Sequence, residues 1–281
     1  MEFLQLSVPF SLENTIECGQ FFQWTQVQHG YLIKSVDKIF SISQTDKTLH
    51  YEVISGQVTP DFLNYFFRLD DPLDEIFSKW SDDNFLQEAY QQYRGLRIIR
   101  QDPWECLVSF VCSMASNIPR ITGNIATLSR QFGKSVFVNG DQHFLLPSPG
   151  QFQKASLDDL YDAGIGFRAK YLHRIAPIVS NGLSLEQLRL RSYEEAKASL
   201  LSFYGIGDKV ADCILLFSLD HLSAFPTDTW ILKILRQRYF VNSVKSPTKL
   251  ASLARERFGD YAGYAQQYLF HYARNGGIIE E

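Results

Sequence analysis

Lys209, Cys213 and Asp228 are the residues of this chain whose types and spacing could do chemistry together. Lys209 follows Gly205-Ile206-Gly207-Asp208 and falls in the first turn of a predicted helix. The macrodipole disfavours a cation there, and a lysine that spends time as the neutral amine is a nucleophile. Cys213 lies four residues on, on the same helix face. Asp228, 19 residues after the lysine, stands in Pro226-Thr227-Asp228-Thr229-Trp230, where it opens the next helix and amide donors hold it ionised. An amine nucleophile with a fixed carboxylate suits covalent attack on a carbon that develops positive charge. Taken singly, a lysine at a helix start is a solvated face and an aspartate after Pro-Thr is a cap. Together they read as a site.

Two helices must position these groups. Ser192 and Glu195 form an S-x-x-E capping box, so a helix starts there and runs to Phe203 with Ala196, Leu200 and Phe203 on one face. Gly205 and Gly207, astride Ile206, break it with a tight turn and an exposed backbone. The second helix begins at about Asp208 and turns Val210, Ile214, Leu215 and Phe217 inward. Such a hairpin points amide groups outward at a helix N-terminus and binds phosphate without reading sequence. On the G-x-G alone, the stretch reads first as an ordinary helix pair of a helical core.

GIGDKVADC followed by FPTDTW resembles the signature of the helix-hairpin-helix DNA glycosylases, and specifically the 8-oxoguanine DNA glycosylases. Cys18-Gly19-Gln20-Phe21-Phe22-Gln23-Trp24, RQDPWECLVSFVCS and NIPRITG resemble the same family, and the similarity runs from about Glu13 to Phe270. The resemblance implies a DNA glycosylase with lyase activity, acting as a monomer on double-stranded DNA containing 8-oxoguanine and needing no cofactor. It assigns nucleophilic attack to Lys209 and assistance to Asp228. It implies a base sandwich between Cys213 and Phe270, Gln266 on the Watson–Crick edge, and the Gly19 carbonyl accepting from N7–H. Residue by residue, Gly19 alone would read as a β-bulge glycine, Phe270 as core and Gln266 as surface.

A base inside a duplex is out of reach of a protein amine, so the nucleotide must be extruded. Gly205 and Gly207 would grip the backbone, with the carbonyls of Leu201, Phe203 and Ile206 able to hold a cation, as the family's hairpins do. Phe167 is the candidate wedge, or else an ordinary core aromatic. Arg120 and Arg168 match positions that meet the orphan cytosine. Ala115-Ser116 stands where most close relatives have an asparagine-rich turn, and Trp230 where many have a histidine that contacts phosphate. The resemblance therefore implies a preference for cytosine opposite the lesion, relaxed by the short side chain of Ala115. Two rivals stay open: a related helix-hairpin-helix glycosylase with another lesion preference, and a non-catalytic DNA-binding module.

Composition agrees with a cored protein that meets phosphate on one side. With 281 residues, 45 % of them hydrophobic, the chain holds one large domain or two modest ones. No apolar run approaches the roughly 18 residues of a membrane span, and MEFLQLSVPF has no leader pattern. A cytoplasmic location is expected, nucleoid-associated if the source is bacterial, with no membrane partner. Four cysteines without a C-x-x-C pair argue against zinc, a disulfide framework and the iron–sulfur loop of some related glycosylases. The net charge of −4 is uneven: residues 1–93 carry 5 basic and 14 acidic side chains, a balance of −9, and residues 94–281 carry 22 and 17, a balance of +5. One half is thus suited to phosphates and the other is not.

The expected fold class is α+β. Residues 1–93 form an antiparallel β domain with terminal helices, with strands near 16–24, 31–36, 39–43 and 49–54 at hairpin spacing and helices over 60–93. Residues 94–281 form the mainly α-helical glycosylase domain, two lobes with a cleft between. There Asp102-Pro103-Trp104-Glu105 starts a buried helix with a capping-box glutamate, and Asn117 starts another to Gly133. Residues 135–150 read as an irregular loop, followed by helices over 156–163 and 166–179, one from Trp230 to about 239, one over 247–258 and a last one carrying Phe270.

Overall fold

The computed structural model describes residues 2–138, 140–241 and 246–277. An antiparallel sheet opens the chain: β1 (Glu2–Gln5), β2 (Trp24–Val27), β3 (Gly30–Ser35), β4 (Lys38–Thr45) and β5 (Thr48–Ser55), in spatial order β1-β5-β4-β3-β2. Tyr31, Ile33 and Ser35 of β3 alternate inward, and Ile33 faces Phe40 across the β3–β4 ladder. This is the period-2 pattern that the sequence carries.

Helix α1 (Leu12–Glu17) interrupts the sheet where the sequence pattern predicts the start of a strand. Ser11 Oγ accepts from Asn14 N–H, and Leu12, Thr15 and Ile16 bury at helical spacing. The alternation of Gln20–Trp24 belongs to coil that leads into β2. Gly19, at φ +83°, is therefore not a bulge glycine within a strand but the left-handed turn just past α1.

The helices α2 (Pro60–Phe66), α3 (Leu73–Ser78) and α4 (Asn84–Gln92) follow, then α5 (Pro103–Cys112) and α6 (Ile118–Phe132). Residues 135–150 are more regular than expected. β6 (Ser135–Val138) pairs with β7 (Asp141–Phe144), and Pro149 starts α7 (Pro149–Lys154) under a Ser148–Gln151 capping box. Gly140, at φ +90°, stands in the turn between the two strands. Then come α8 (Leu157–Asp162), α9 (Arg168–Ser180), α10 (Tyr193–Leu201), α11 (Asp208–Ser218), α12 (Thr229–Ile234) continued by a π turn, α13 (Pro247–Phe258) and α14 (Ala262–Arg274).

Two apolar cores result. The smaller joins the inner sheet face to α2 through Phe40, Phe66 and Phe67. The larger centres on α5, which is buried on every side, with α11 and α14 packed in it. Helices α3 and α4 belong to this larger core, so the cores part near Leu69–Leu73, upstream of residue 93. Ile214 and Leu215 of α11 have no exposed surface; truncating either to alanine would cost about 2–5 kcal/mol. Arg68, Arg100 and Arg189 converge on Asp220, beyond the end of α11, and clamp the sheet domain to the helices. Among the described residues no helix is long and apolar enough to cross a membrane.

Glu105 departs from its expected role. Asp102 does cap α5, accepting from Glu105 N–H, but the Glu105 carboxyl turns away and accepts from Val36 N–H at 2.9 Å. Burial pushes that carboxyl up to about 8.

Candidate active site

The capping box at the start of α10 is complete: Ser192 Oγ accepts from Glu195 N–H, and the Glu195 carboxylate accepts from Ser192 N–H at 3.1 Å. Ala196, Leu200 and Phe203 are buried as their spacing predicts. At Gly205 φ is +90°, and a Cβ would stand 2.4 Å from the Tyr171 ring, so only glycine fits. Gly207 differs. Its φ is −105°, it caps α11 without a side-chain bond, and a Cβ there would meet nothing within 4 Å. Its open space faces outward, at an exposed helix N-terminus able to take a phosphate. Of the hairpin carbonyls, that of Phe203 already accepts from Ile206 N–H at 3.1 Å, which leaves it one free lone pair.

Lys209 Nζ donates to Ser113 Oγ at 3.1 Å and lies 5.1 Å from the Phe110 ring centroid. Ser113 Oγ in turn donates to Phe110 O at 2.7 Å, which leaves its lone pairs for the lysine. Asp228 caps α12, accepting from Ile231 N–H at 2.9 Å. The sequence predicts an aspartate held ionised by such donors. Burial outweighs them: the Asp228 carboxyl is held above the usual carboxylate range, against the pull of Ile231 N–H and Lys209. Burial likewise pushes the Cys213 thiol up to about 12, so its sulfur is a neutral packing surface.

Gly19, Phe110, Lys209, Asp228 and Phe270 line two adjoining cavities. The outer cleft, of about 520 Å³, is bounded by the turn from Ser113 to Ile118, by Trp230 and by Arg274. The inner recess, of about 50 Å³, reaches Cys213 and Gln266. Gln266 is 4 % exposed and its Oε1 has no hydrogen-bond partner among the described residues. The four residues expected to bind the base are thus gathered around one recess. A concavity of about 800 Å³ beside His29 and Asp46 contains none of them.

The rim of the cleft agrees less well with expectation. Phe167 is 45 % exposed and leans edge-on against Tyr171, at 5.8 Å between centroids. It is a surface aromatic, not core. Arg120 is exposed, as a base reader must be. Arg168 is not: it is buried, with Nη1 donating to Ile165 O at 3.2 Å and Nη2 to Ala115 O at 3.1 Å and to Met114 O. Its donors build the turn facing the gap and are not presented to a base. Ala115 is exposed at φ +46°, a conformation that asparagine tolerates better than alanine. Ser116 Oγ is buried without a partner among the described residues. Trp230, 42 % exposed, stands at the outer lip.

Ser113 and Arg274 are site residues that sequence reasoning missed. Arg274 stands four and eight residues after Phe270 and Gln266, so helical spacing alone puts it on their face. Ser113 closes the motif RQDPWECLVSFVCS, but nothing in its spacing ties it to Lys209.

Residues 4–107 match the family model described as 8-oxoguanine DNA glycosylase, N-terminal domain. The whole structure also matches the 8-oxoguanine glycosylase/lyase of Clostridium acetobutylicum over 99 % of both chains, with a TM-score of 0.90 and 32 % identity. The chain belongs to the 8-oxoguanine DNA glycosylase family. That Clostridium member was solved with double-stranded DNA containing cytosine opposite 8-oxoG. The Arabidopsis thaliana relative, N-glycosylase/DNA lyase OGG1, is 36 % identical over 75 % of this chain and 60 % of its own length. A 3-methyladenine DNA glycosylase from Archaeoglobus fulgidus shares the fold, with a TM-score of 0.80 at 20 % identity.

Proposed function

We propose that the chain is a bifunctional DNA repair glycosylase that extrudes and excises 8-oxoguanine, then cuts the abasic strand by β-elimination. The observation that carries this reading is that Lys209 and Asp228 open, together with Gly19 and Phe270, onto both the outer cleft and the inner recess. The Gly205–Gly207 hairpin grips a phosphate from one side of the cleft. Phe167 fills the place that the nucleotide leaves.

The base lodges between the Cys213 sulfur and the Phe270 ring. The recess of about 50 Å³ opens into the cleft of about 520 Å³ through shared Gly19 and Phe270, so the base occupies both. Gln266 Oε1 then accepts from the Watson–Crick edge. The Gly19 carbonyl accepts from N7–H, and meets a lone pair when undamaged guanine is offered instead.

Lys209, as the neutral amine, attacks C1′ while the C1′–N9 bond breaks and its electron pair leaves with the base. Ionised Asp228 stabilises the positive charge on the sugar. The C1′–O4′ bond then opens, a proton of the amine passing to O4′, to give a Schiff base; loss of a C2′ proton follows, and the C3′–O3′ bond breaks as the 3′ phosphate leaves. Excision is preferred opposite cytosine and persists opposite other bases, because Ala115 and the inward-turned Arg168 leave the gap short of donors.

Borohydride trapping on a duplex containing 8-oxoguanine tests the reading. The unmodified chain forms a covalent adduct. Lys209→Gln forms none and excises nothing, yet binds the lesion duplex within about tenfold, because grip and recess stay in place. An adduct from the Lys209→Gln variant would reassign the nucleophile.

A further inference from the structure

The turn after α1 is held by the last helix. Glu17 O accepts from Arg274 Nη2 at 2.7 Å, and Cys18 O accepts from Gln267 Nε2 at 3.1 Å. On the far side, Gln20 O accepts from Gln101 Nε2 at 2.8 Å. The carbonyls on both sides of Gly19 are thus taken by side-chain donors, while among the described residues no donor meets Gly19 O. Arg274 has a second nitrogen to place. Its Nη1 is buried and has no hydrogen-bond partner among the described residues, and a Cβ built on Gly19 would stand 2.9 Å from it. Arg274 also lines the outer cleft, with its guanidinium 5.8 Å from the Phe270 ring centroid.

A residue with a free acceptor and a residue with a free cationic donor are therefore neighbours, and both line the outer cleft. A buried donor of a charged group left unsatisfied carries a desolvation cost, so a ligand atom that completes it gains affinity in return. Guanine and 8-oxoguanine differ at two adjacent atoms. N7 changes from acceptor to N–H donor, and C8 gains a carbonyl oxygen. The Gly19 carbonyl answers the first change only. We propose that Arg274 Nη1 answers the second, donating to the C8 oxygen of the extruded base, so that protein acceptor and donor face lesion donor and acceptor. This rests on the glycosylase reading above.

The test measures affinity in the Lys209→Gln background, where no product forms, for duplexes carrying 8-oxoguanine or 8-thioguanine. Sulfur in place of the oxygen keeps N7–H and weakens the acceptor. With Arg274 present, the oxygen lesion is expected to bind about tenfold tighter than the sulfur analogue. Arg274→Met should bring the two affinities within about twofold. Arg274→Lys, which keeps a donor for Glu17 O but lacks the forked second nitrogen, should do the same and guards against a collapsed turn. Equal weakening toward both lesions would make Arg274 a support of the turn and overturn the proposal. Weakening toward both lesions that grows as salt is lowered and fades at high salt would make it a phosphate contact and overturn the proposal as well. Failure of the glycosylase reading is distinguishable, since the chain with Lys209 intact would then form no borohydride adduct on either duplex.

Discussion

The two walls of the cleft are built on opposite plans. The wall with Gly19, Phe270 and Gln266 is half-buried to buried, and its neighbouring polar groups are tied by hydrogen bonds that span the chain. Ala115 on the opposite wall is exposed, as are Arg120 and Phe167, and Arg168 spends its two Nη groups on backbone carbonyls. A polar site in low dielectric discriminates strongly, because a mismatched group is left unpaired there, while an exposed one is rescued by water. Under the proposed function, the difference makes the chain strict about the damaged base and lenient about its partner.

The comparison breaks most visibly at Asp228. Asp228→Asn should lower single-turnover excision by about a hundredfold or more, as loss of one positioned electrostatic group does. A near wild-type rate would reduce Asp228 to a helix cap. Its pH behaviour follows from the direction of its shift. Burial raises the folded pKa above the unfolded one, so ionisation penalises folding increasingly as pH rises from the ordinary carboxylate range through the raised value. The penalty is fully present only above the raised value. Asp228→Asn should therefore lose rate without losing thermal midpoint at pH 7, and the acid limb of the rate profile should lie above the ordinary carboxylate range.

Gly19→Ala sharpens the comparison on the strict wall. Its φ of +83° disfavours any Cβ, which would also press on Arg274 at 2.9 Å and Ile118 at 3.1 Å. Excision of 8-oxoguanine should fall by about tenfold to a hundredfold while affinity for undamaged duplex is unchanged. Loss of both together would mean that the turn supports the fold and not the reading of N7.

Ala115→Asn probes the lenient rim and has the smallest effect. It should sharpen preference for cytosine by about a factor of 5 to 30, the worth of one added hydrogen bond. It should also raise stability by up to about 1 kcal/mol, because asparagine tolerates the φ of +46° better than alanine. Excision rates against all four opposing bases decide the first point and a denaturant midpoint the second. Strict cytosine dependence in the unmodified chain would defeat the argument from Ala115.

What the sequence discloses follows the same division. The hairpin, the caps at Ser192 and Asp228 and the buried face of α11 are local matters, written within a few residues of each other, and they are legible. So is the gathering of Gly19, Cys213, Gln266 and Phe270, through the family resemblance. Helix α1 is not, because the alternation of Gln20–Trp24 extends the pattern of a strand back across a capped helix. The inward turn of Arg168 and the swing of Glu105 to Val36 are not either, since each depends on which carbonyl or amide another segment brings near. Side-chain destinations across the fold leave no local trace.

One consequence follows from where the lesion wall finds its partners. The donors to Glu17 O and Cys18 O come from residues 257 and 249 positions later in the chain. Synthesis runs from the N-terminus at about 5–20 residues per second, so the turn at Gly19 waits on the order of 10–50 s for the helix that sets it. A nascent chain therefore carries the Gly205–Gly207 hairpin before the turn at Gly19 has its two side-chain donors. Until α14 docks, the recess lacks the wall that Gln266 and Phe270 supply.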